Sequence, residues 1–597
     1  MIANSNFKSV FLFAFTIACS LRAGLLVAQT PMISSPRELW HDIDPRIEPL
    51  EEELITTWND DEGTFEKLFF TGESIEGEKV RVFAIRGTPP PNSLAAGERW
   101  PGVLHIHGGG QTASLEWVKF WMRRGYACVS FDFCGRWEDR TEFTDWGPLK
   151  QGNMADAEGG LQILPTPRAS SWYHWALISR RALTLLEQHS NVDRQRLGIF
   201  GVSVGGTLCW MVAGADERVR AAVPIYGCGY NYDNSKTAWG FEELSPELSA
   251  WQKSVSAEAH APLIRCPVLL LNATNDFHGW LDDGPRILEA VPRGTRSAYS
   301  PNWNHHISAS EAVNLPAWMD FALGDGAEFP KSPVVDIDLD QVGVPRARVT
   351  IDEHQEIVRV DVYYALGTQT PPNRFWRHIK ATKNEHGWQA SLPVMDIAQE
   401  ARAFANVYYA RPVCLSSNLA PFVPAQLGTA QATLAWSAEL NVPGGWRYMA
   451  AHTDPSIERT YLLPPEDSGD PSELRPNVQL FGDRVPINVV SNFLGDPQFA
   501  GRPGMALAFD YDGRIDGGLE VTITSQTWTP RSKSYRTKLS AEELAAESGI
   551  IRLTLDRLRS ENGEPPMAWA ELDTLQIQGE AASEPAPVVG RFRWEPN

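Results

Sequence analysis

Cysteine is scarce in this 597-residue chain: seven in all, of which Cys19 falls in the N-terminal apolar stretch, leaving Cys128, Cys134, Cys209, Cys228, Cys266 and Cys414. No two stand as C-x-x-C, so a zinc ribbon or a thioredoxin-type pair is not indicated. Most adjoin apolar runs and read as small core residues rather than bridges. Positive charge is also in deficit. Lysine plus arginine number 53 against 74 acidic residues, and the net charge of −21 repels phosphate backbones and anionic membrane surfaces. Nucleic acid is not an expected partner. Long apolar runs are missing too, since no stretch approaches the ~18 to 20 residues that a spanning helix needs. With 43% hydrophobic and 21% charged residues the chain is an ordinary globular mixture, and its length suits about three domains. No fixed-period repeat is found.

At the N-terminus, Lys8 precedes the apolar stretch Val10 to Leu21, and small residues surround Ala28. This pattern predicts a signal peptide over residues 1–28 and a secreted or periplasmic product; Cys19 after Thr-Ile-Ala leaves lipid anchoring as the less favoured alternative. Residues 29–64 read as a surface lead-in. Beyond them, two alternating strands are followed by short apolar β-rich runs separated by amphipathic stretches, which predicts a mostly parallel sheet with helices on both faces over 65–325. Beyond Gly324 the helical signal thins, and Pro330 to Pro333 reads as a linker. A β-sandwich (Ig-like) is expected over 332–440 and a second β-rich domain of jelly-roll type over 441–597, with one helical insertion at Ser540 to Glu547.

The segment that carries chemistry is Arg196-Leu-Gly-Ile-Phe-Gly201-Val-Ser203-Val-Gly205-Gly206. An apolar strand runs into Gly-x-Ser-x-Gly and then into a helix-compatible stretch, the context a nucleophile elbow requires. A serine hydroxyl is a weak nucleophile, so a histidine must take its proton and a carboxylate must fix that histidine's tautomer. Asp276 follows the strand Pro267 to Leu271, and His305 follows Arg296 to Tyr299, giving the order Ser, Asp, His at successive strand ends. Asp282 and Asp283 compete for the acid role from the following helix, and His306 competes with His305 for the base. His278 stands too close to the acid in sequence and reads as a pocket-lining or exposed residue. His107-Gly108-Gly109-Gly110 follows the strand Val103 to Ile106, where the N–H groups of Gly109 and Gly110, with that of Val204, suit an oxyanion hole.

Together, Gly201-Val-Ser203-Val-Gly205, His107-Gly108-Gly109-Gly110, Asp276 and His305 resemble the α/β-hydrolase superfamily. Val192-Asp193-Arg194-Gln195-Arg196-Leu-Gly-Ile-Phe-Gly resembles its dienelactone hydrolase, acetyl xylan esterase and prolyl oligopeptidase branch. The resemblance covers about 65–325 and implies a serine hydrolase with no metal and no cofactor. The sequence departs from dienelactone hydrolases themselves, whose nucleophile is cysteine, and lacks the propeller that prolyl oligopeptidases place ahead of the hydrolase domain. The segment Val362-Tyr-Tyr-Ala-Leu … Pro372-Asn-Arg-Phe-Trp-Arg weakly resembles the β-domain appended to PhoPQ-activated pathogenicity-related proteins.

Other signals surround this constellation. Arg136 and Trp137 follow the strand Ala127 to Phe131, Trp280 and Trp303 flank the acid and the base, and these tryptophans are candidates to bind substrate by stacking. Glu138 to Tyr173 is long for a bare connection and reads as a lid or pocket wall. Asp510 to Gly517 has the look of a calcium loop but carries Arg514 and no closing Glu, and so reads as a hairpin turn. The expected activity is a carboxylic ester hydrolase acting on an acylated carbohydrate; the alternatives are a prolyl oligopeptidase-like peptidase and a noncatalytic glycan-binding protein.

Overall fold

The computed structural model describes residues 32–597 except 96, 137–139, 150–162, 232–242, 325–327, 368, 386, 443–444, 449–472, 475–483, 513–514, 547–548 and 583–587. The expected leader with Cys19, Trp137 and the middle of the 138–173 stretch lie outside the described residues.

Nine strands form one sheet: β1 (Glu53–Asp60), β2 (Gly63–Ile75), β3 (Glu78–Thr88), β4 (Trp100–Ile106), β5 (Ala127–Phe131), β6 (Val192–Val202), β7 (Val219–Ile225), β8 (Val268–Ala273) and β9 (Thr295–Ser300). Their order is β1-β2-β3-β5-β4-β6-β7-β8-β9. Pairings from β1 through β3 to β5 are antiparallel, and those from β5 across to β9 are parallel. The parallel strands are apolar on both faces because helices cover both; every residue of β5 and β8 is buried. β1 falls in the stretch read as a lead-in. It is an edge strand, exposed along most of its length, and its Glu-Leu-Ile-Thr-Thr-Trp-Asn-Asp sequence has no apolar alternation to betray it.

Helices α1 (Leu115–Met122), α2 (Ser171–Gln188), α3 (Val204–Ala215), α4 (Asp283–Ala290) and α5 (Asn314–Leu323) alternate with the strands. On one face α2 and α3 pack Trp175, Ile178, Leu186 and Trp210 against the sheet. On the other, α1 and α5 contribute Trp117, Trp121, Trp318 and Met319. The six later cysteines are all buried and free. Arg181 of α2 is fully buried and donates to the carbonyls of Pro45, Glu48, Pro49 and Thr71, which clamps the segment ahead of β1 onto the helix. A buried guanidinium is tolerable here because its donors are spent on carbonyl oxygens.

The C-terminal half is antiparallel β. One pair of sheets contains Val334–Leu339, Pro345–Thr350, Thr382–Asn384 and Gly387–Ser391 in the first, and Ile357–Leu366, Arg377–Lys380, Ala401–Tyr409, Val413–Ser416 and Ala420–Phe422 in the second. Their residues Val349, Val362, Ala390 and Ala403 belong to the same apolar cluster as α1 and α5, so this core is continuous with that of the parallel sheet. The second pair, built around Arg484–Ser491, Ile515–Ser525, Thr574–Ala582, Met505–Asp512 and Val588–Pro596, has its own core of Val521, Ile523, Phe509, Trp569 and Phe592. The Asp510–Gly517 region is not a hairpin. Met505–Asp512 and Ile515–Ser525 belong to different sheets, so the chain crosses between layers there, and the Asp510 carboxylate is taken by Arg593 at 2.8 Å.

Candidate active site

β4 lies between β5 and β6, so the strand order reverses around it and leaves a crevice at the carboxyl ends of β4 and β6. Ser203 follows β6 immediately and precedes the first residue of α3. Its backbone has φ 60° and ψ −116°, a sparsely populated conformation for a side-chain-bearing residue, and its hydroxyl makes no capping bond to the helix. Two glycines make the turn feasible. A Cβ on Gly201 would collide with the Gly205 carbonyl, and one on Gly205 would collide with the carbonyls of Ile106 and His107. Hence the elbow packs directly against the end of β4 and the loop that follows it.

The Ser203 hydroxyl lies 3.0 Å from Nε2 of His305, and Nδ1 of His305 lies 2.7 Å from Oδ2 of Asp276. These three side chains, delivered from the ends of β6, β8 and β9, form one continuous hydrogen-bonded chain. Asp276 is fully buried. Its other oxygen accepts the N–H groups of His278, at 2.8 Å, and Gly279. With both carboxylate oxygens occupied, Nδ1 of His305 must carry the hydrogen and Nε2 must face Ser203 as acceptor. The imidazole is held between two rings, Tyr226 at 4.4 Å and Phe277 at 4.6 Å between centroids. Asn304 fixes the Phe277 backbone by accepting its N–H at 3.0 Å.

In the loop after β4, two of the four residues have their donors committed within the protein. His107 is buried, accepts the Phe133 N–H on Nε2 at 3.0 Å and donates from Nδ1 to the Gly108 carbonyl at 2.7 Å. The Gly108 N–H donates to Oε1 of Gln111 at 2.9 Å. The Gln111 N–H donates to the Gly108 carbonyl at 3.2 Å. Gly109 is exposed, and its N–H and those of Gly110 and Val204 have no protein hydrogen-bond acceptor among the described residues. Asp132, fully buried, supports this loop by accepting the N–H groups of Cys134, Gly135 and Thr144, while Arg140 binds the Gly110 carbonyl.

The competing acids and bases are engaged elsewhere. Asp282 forms a two-pronged ion pair with Arg374, and Asp283 pairs with Arg286 at 2.7 Å. The His306 ring packs on Trp303 at 4.5 Å. His278 is neither exposed nor a base: burial first, with His305 adding to it, brings its pKa down to about 4, and its Nδ1 donates to the Tyr226 carbonyl at 3.0 Å. Trp280 is buried rather than open to a ligand. Trp303 is half-buried against His306. No group of three or more metal-ligating side chains occurs among the described residues.

Several contributors carried no sequence motif. Asn275 donates to the Pro372 carbonyl at 3.1 Å and to that of Arg374, and Asn302 exchanges two bonds with the Trp376 backbone, at 2.9 and 2.7 Å. The acid and base loops are thus tied to the segment Pro372 to Trp376 of the first β-sandwich. A single asparagine beside a catalytic loop is an ordinary turn residue by sequence, so only the fold could single these out.

Strands β4 to β8, the elbow after β6 and Asp276 lie within the region matched by one family model, and His305 lies beyond it. Residues 97–296 match the dienelactone hydrolase family. The match spans about a third of the chain, and in this dienelactone hydrolase-like region the elbow residue is Ser203. Among solved structures, an acetyl xylan esterase from Paenibacillus sp. R4 is 15% identical with a TM-score of 0.38, covering 47% of this chain and 91% of that one. Acetyl xylan esterase 1 from Thermoanaerobacterium sp. JW/SL YS485 is 17% identical with a TM-score of 0.39, covering 48% and 94%. The acylaminoacyl peptidase of Pyrococcus horikoshii is 18% identical with a TM-score of 0.33, covering 44% of this chain and 43% of that one. No curated protein matches the sequence.

Proposed function

We propose that the chain is an exported serine hydrolase of carboxylic esters, acting on an acylated carbohydrate. The observation that carries this reading is the unbroken chain from Ser203 through His305 to Asp276 on a strained strand-to-helix turn. Ser203 Oγ attacks the ester carbonyl while Nε2 of His305 takes its proton; Asp276 holds the tautomer and stabilises the imidazolium. The tetrahedral oxyanion is received by the N–H groups of Gly109, Gly110 and Val204, at the positive end of α3. Nε2 then returns the proton to the departing alcohol oxygen, and water entering by the reverse path releases the acid. Residues 65–325 act as the catalytic domain, with 332–440 bracing its loops and 441–597 reaching the site rim. Export is supported by the charged and apolar pattern of residues 1–28. Among the described residues no helix is long and apolar enough to cross a membrane.

The test is an activity screen of wild type and Ser203→Ala on short acyl esters, acetylated oligosaccharides and prolyl anilides. The esterase reading expects release of acid from esters by wild type and a loss of several orders of magnitude in Ser203→Ala. Preferential cleavage of prolyl anilides would transfer the same machinery to a peptidase; glycan binding with no turnover in wild type would replace the enzyme with a binding protein.

A further inference from the structure

An aromatic side chain from the last β-unit stands at the rim of this site. Trp528 lies in the turn that follows the strand Ile515–Ser525, and its ring stacks on Phe277 at 4.4 Å and 21°. Phe277 in turn packs on the ring of His305. Despite that stacking, Trp528 is 37% exposed, a flat apolar face left open to solvent two rings from the base. The turn that presents it is fastened. Gln526 and Trp528 both take positive φ, 48° and 61°, which side-chain-bearing residues rarely adopt. The Thr527 N–H donates to Asp573 at 3.3 Å, and Asn373 of the first β-sandwich donates to the Thr527 carbonyl and to Asp573, each at 3.3 Å. A surface indole held this firmly, and in this place, is not packing filler under a loop.

Nε2 of His305 must reach the leaving oxygen to protonate it, so the alcohol half of an ester lies on the histidine side of Ser203. The aromatic rim from His305 through Phe277 to Trp528 borders that side. We propose that Trp528 is the platform for the alcohol half of the substrate, accepting the apolar face of a sugar ring; this rests on the esterase reading above and deepens it. Tryptophan suits the task because it offers large rigid area at little conformational cost.

The experiment compares wild type, Trp528→Ala and Trp528→Phe on methyl acetate and on an acetylated xylo-oligosaccharide, alongside calorimetric binding of unacetylated xylotetraose. Trp528→Ala is expected to lose about tenfold in kcat/KM on the oligosaccharide ester, chiefly through KM, and about tenfold in xylotetraose affinity. Methyl acetate turnover should stay within about twofold, and Trp528→Phe should recover part of the loss. Equal losses on both esters would overturn the proposal by making Trp528 a brace for Phe277 and His305, and unchanged affinity for xylotetraose would overturn it outright. If wild type hydrolysed neither ester, the esterase reading would fail, while xylotetraose binding would still decide the role of Trp528.

Discussion

A serine hydroxyl is a poor nucleophile, and the proposed role of Ser203 draws on its surroundings: a backbone conformation in which the hydroxyl makes no bond to the helix, and an acceptor nitrogen 3.0 Å away. The tautomer argument gives a sharp expectation. In Asp276→Asn, an amide can no longer accept from Nδ1 and from two backbone N–H groups as the carboxylate does, so Nε2 tends to carry the hydrogen and ester turnover should fall by about 10⁴ with the fold intact. Stopped assays together with circular dichroism check this; near-wild-type rates would remove Asp276 from the chemistry. At this scale, the sequence order of serine, acid and base at strand ends was legible, because strand ends and glycine spacing are local features. How the loop after β4 is held was not: Asp132 and Arg140, which follow another strand, support it, and no pattern within the His107–Gly110 run encodes them. The choice of His305 over His306 likewise turned on packing against Trp303, Tyr226 and Phe277.

Among elements, the buried parallel strands declare themselves as short apolar runs, as β5 and β8 do, whereas edge strands such as β1 and Lys533–Leu539 do not. In the latter Tyr535 and Leu539 are buried and Arg536 and Lys538 exposed, an alternation carried by only two apolar residues. The turn after Ile515–Ser525 carries a pH dependence. Burial, opposed by N–H groups of Thr527 and Gln526, raises the Asp573 carboxyl to about 6. The native state then holds a proton that the unfolded chain has already released between about pH 4 and 6, so stability falls as pH rises through that window and stays lowered above it. A shift of that size corresponds to about 3 kcal/mol. Asp573→Asn should therefore flatten the decline in melting temperature between pH 4 and 7, read by scanning calorimetry; an unchanged slope would locate the pH dependence elsewhere.

The whole molecule joins a reaction centre to β-layers that hold its loops. The expectation of β-rich units after Pro330 followed from the loss of helical periodicity, yet whether they brace the hydrolase sheet or stand apart could not be read there. The answer lies in contacts between distant residues: Asn275 and Asn302 on the Pro372–Trp376 backbone, Arg374 on Asp282, and Asn373 on the Trp528 turn. The two β-units are themselves joined by Arg377 and Asp496, a buried pair in which Asp496 stays raised by burial even with the guanidinium beside it. Arg377→Met would leave that carboxylate buried without a countercharge and should destabilise the C-terminal unit by about 3–5 kcal/mol at neutral pH. Urea unfolding followed by tryptophan emission would report an early transition; a midpoint equal to wild type would mean that the pair contributes little.

The most direct test of the nucleophile is covalent. Wild-type protein treated with a phosphonate ester that traps activated serines, then digested and weighed by mass spectrometry, should carry one adduct, on Ser203, with ester hydrolysis lost in step, and Ser203→Ala should carry none. An adduct on another residue, or full labelling of Ser203 with ester hydrolysis undiminished, would contradict the account.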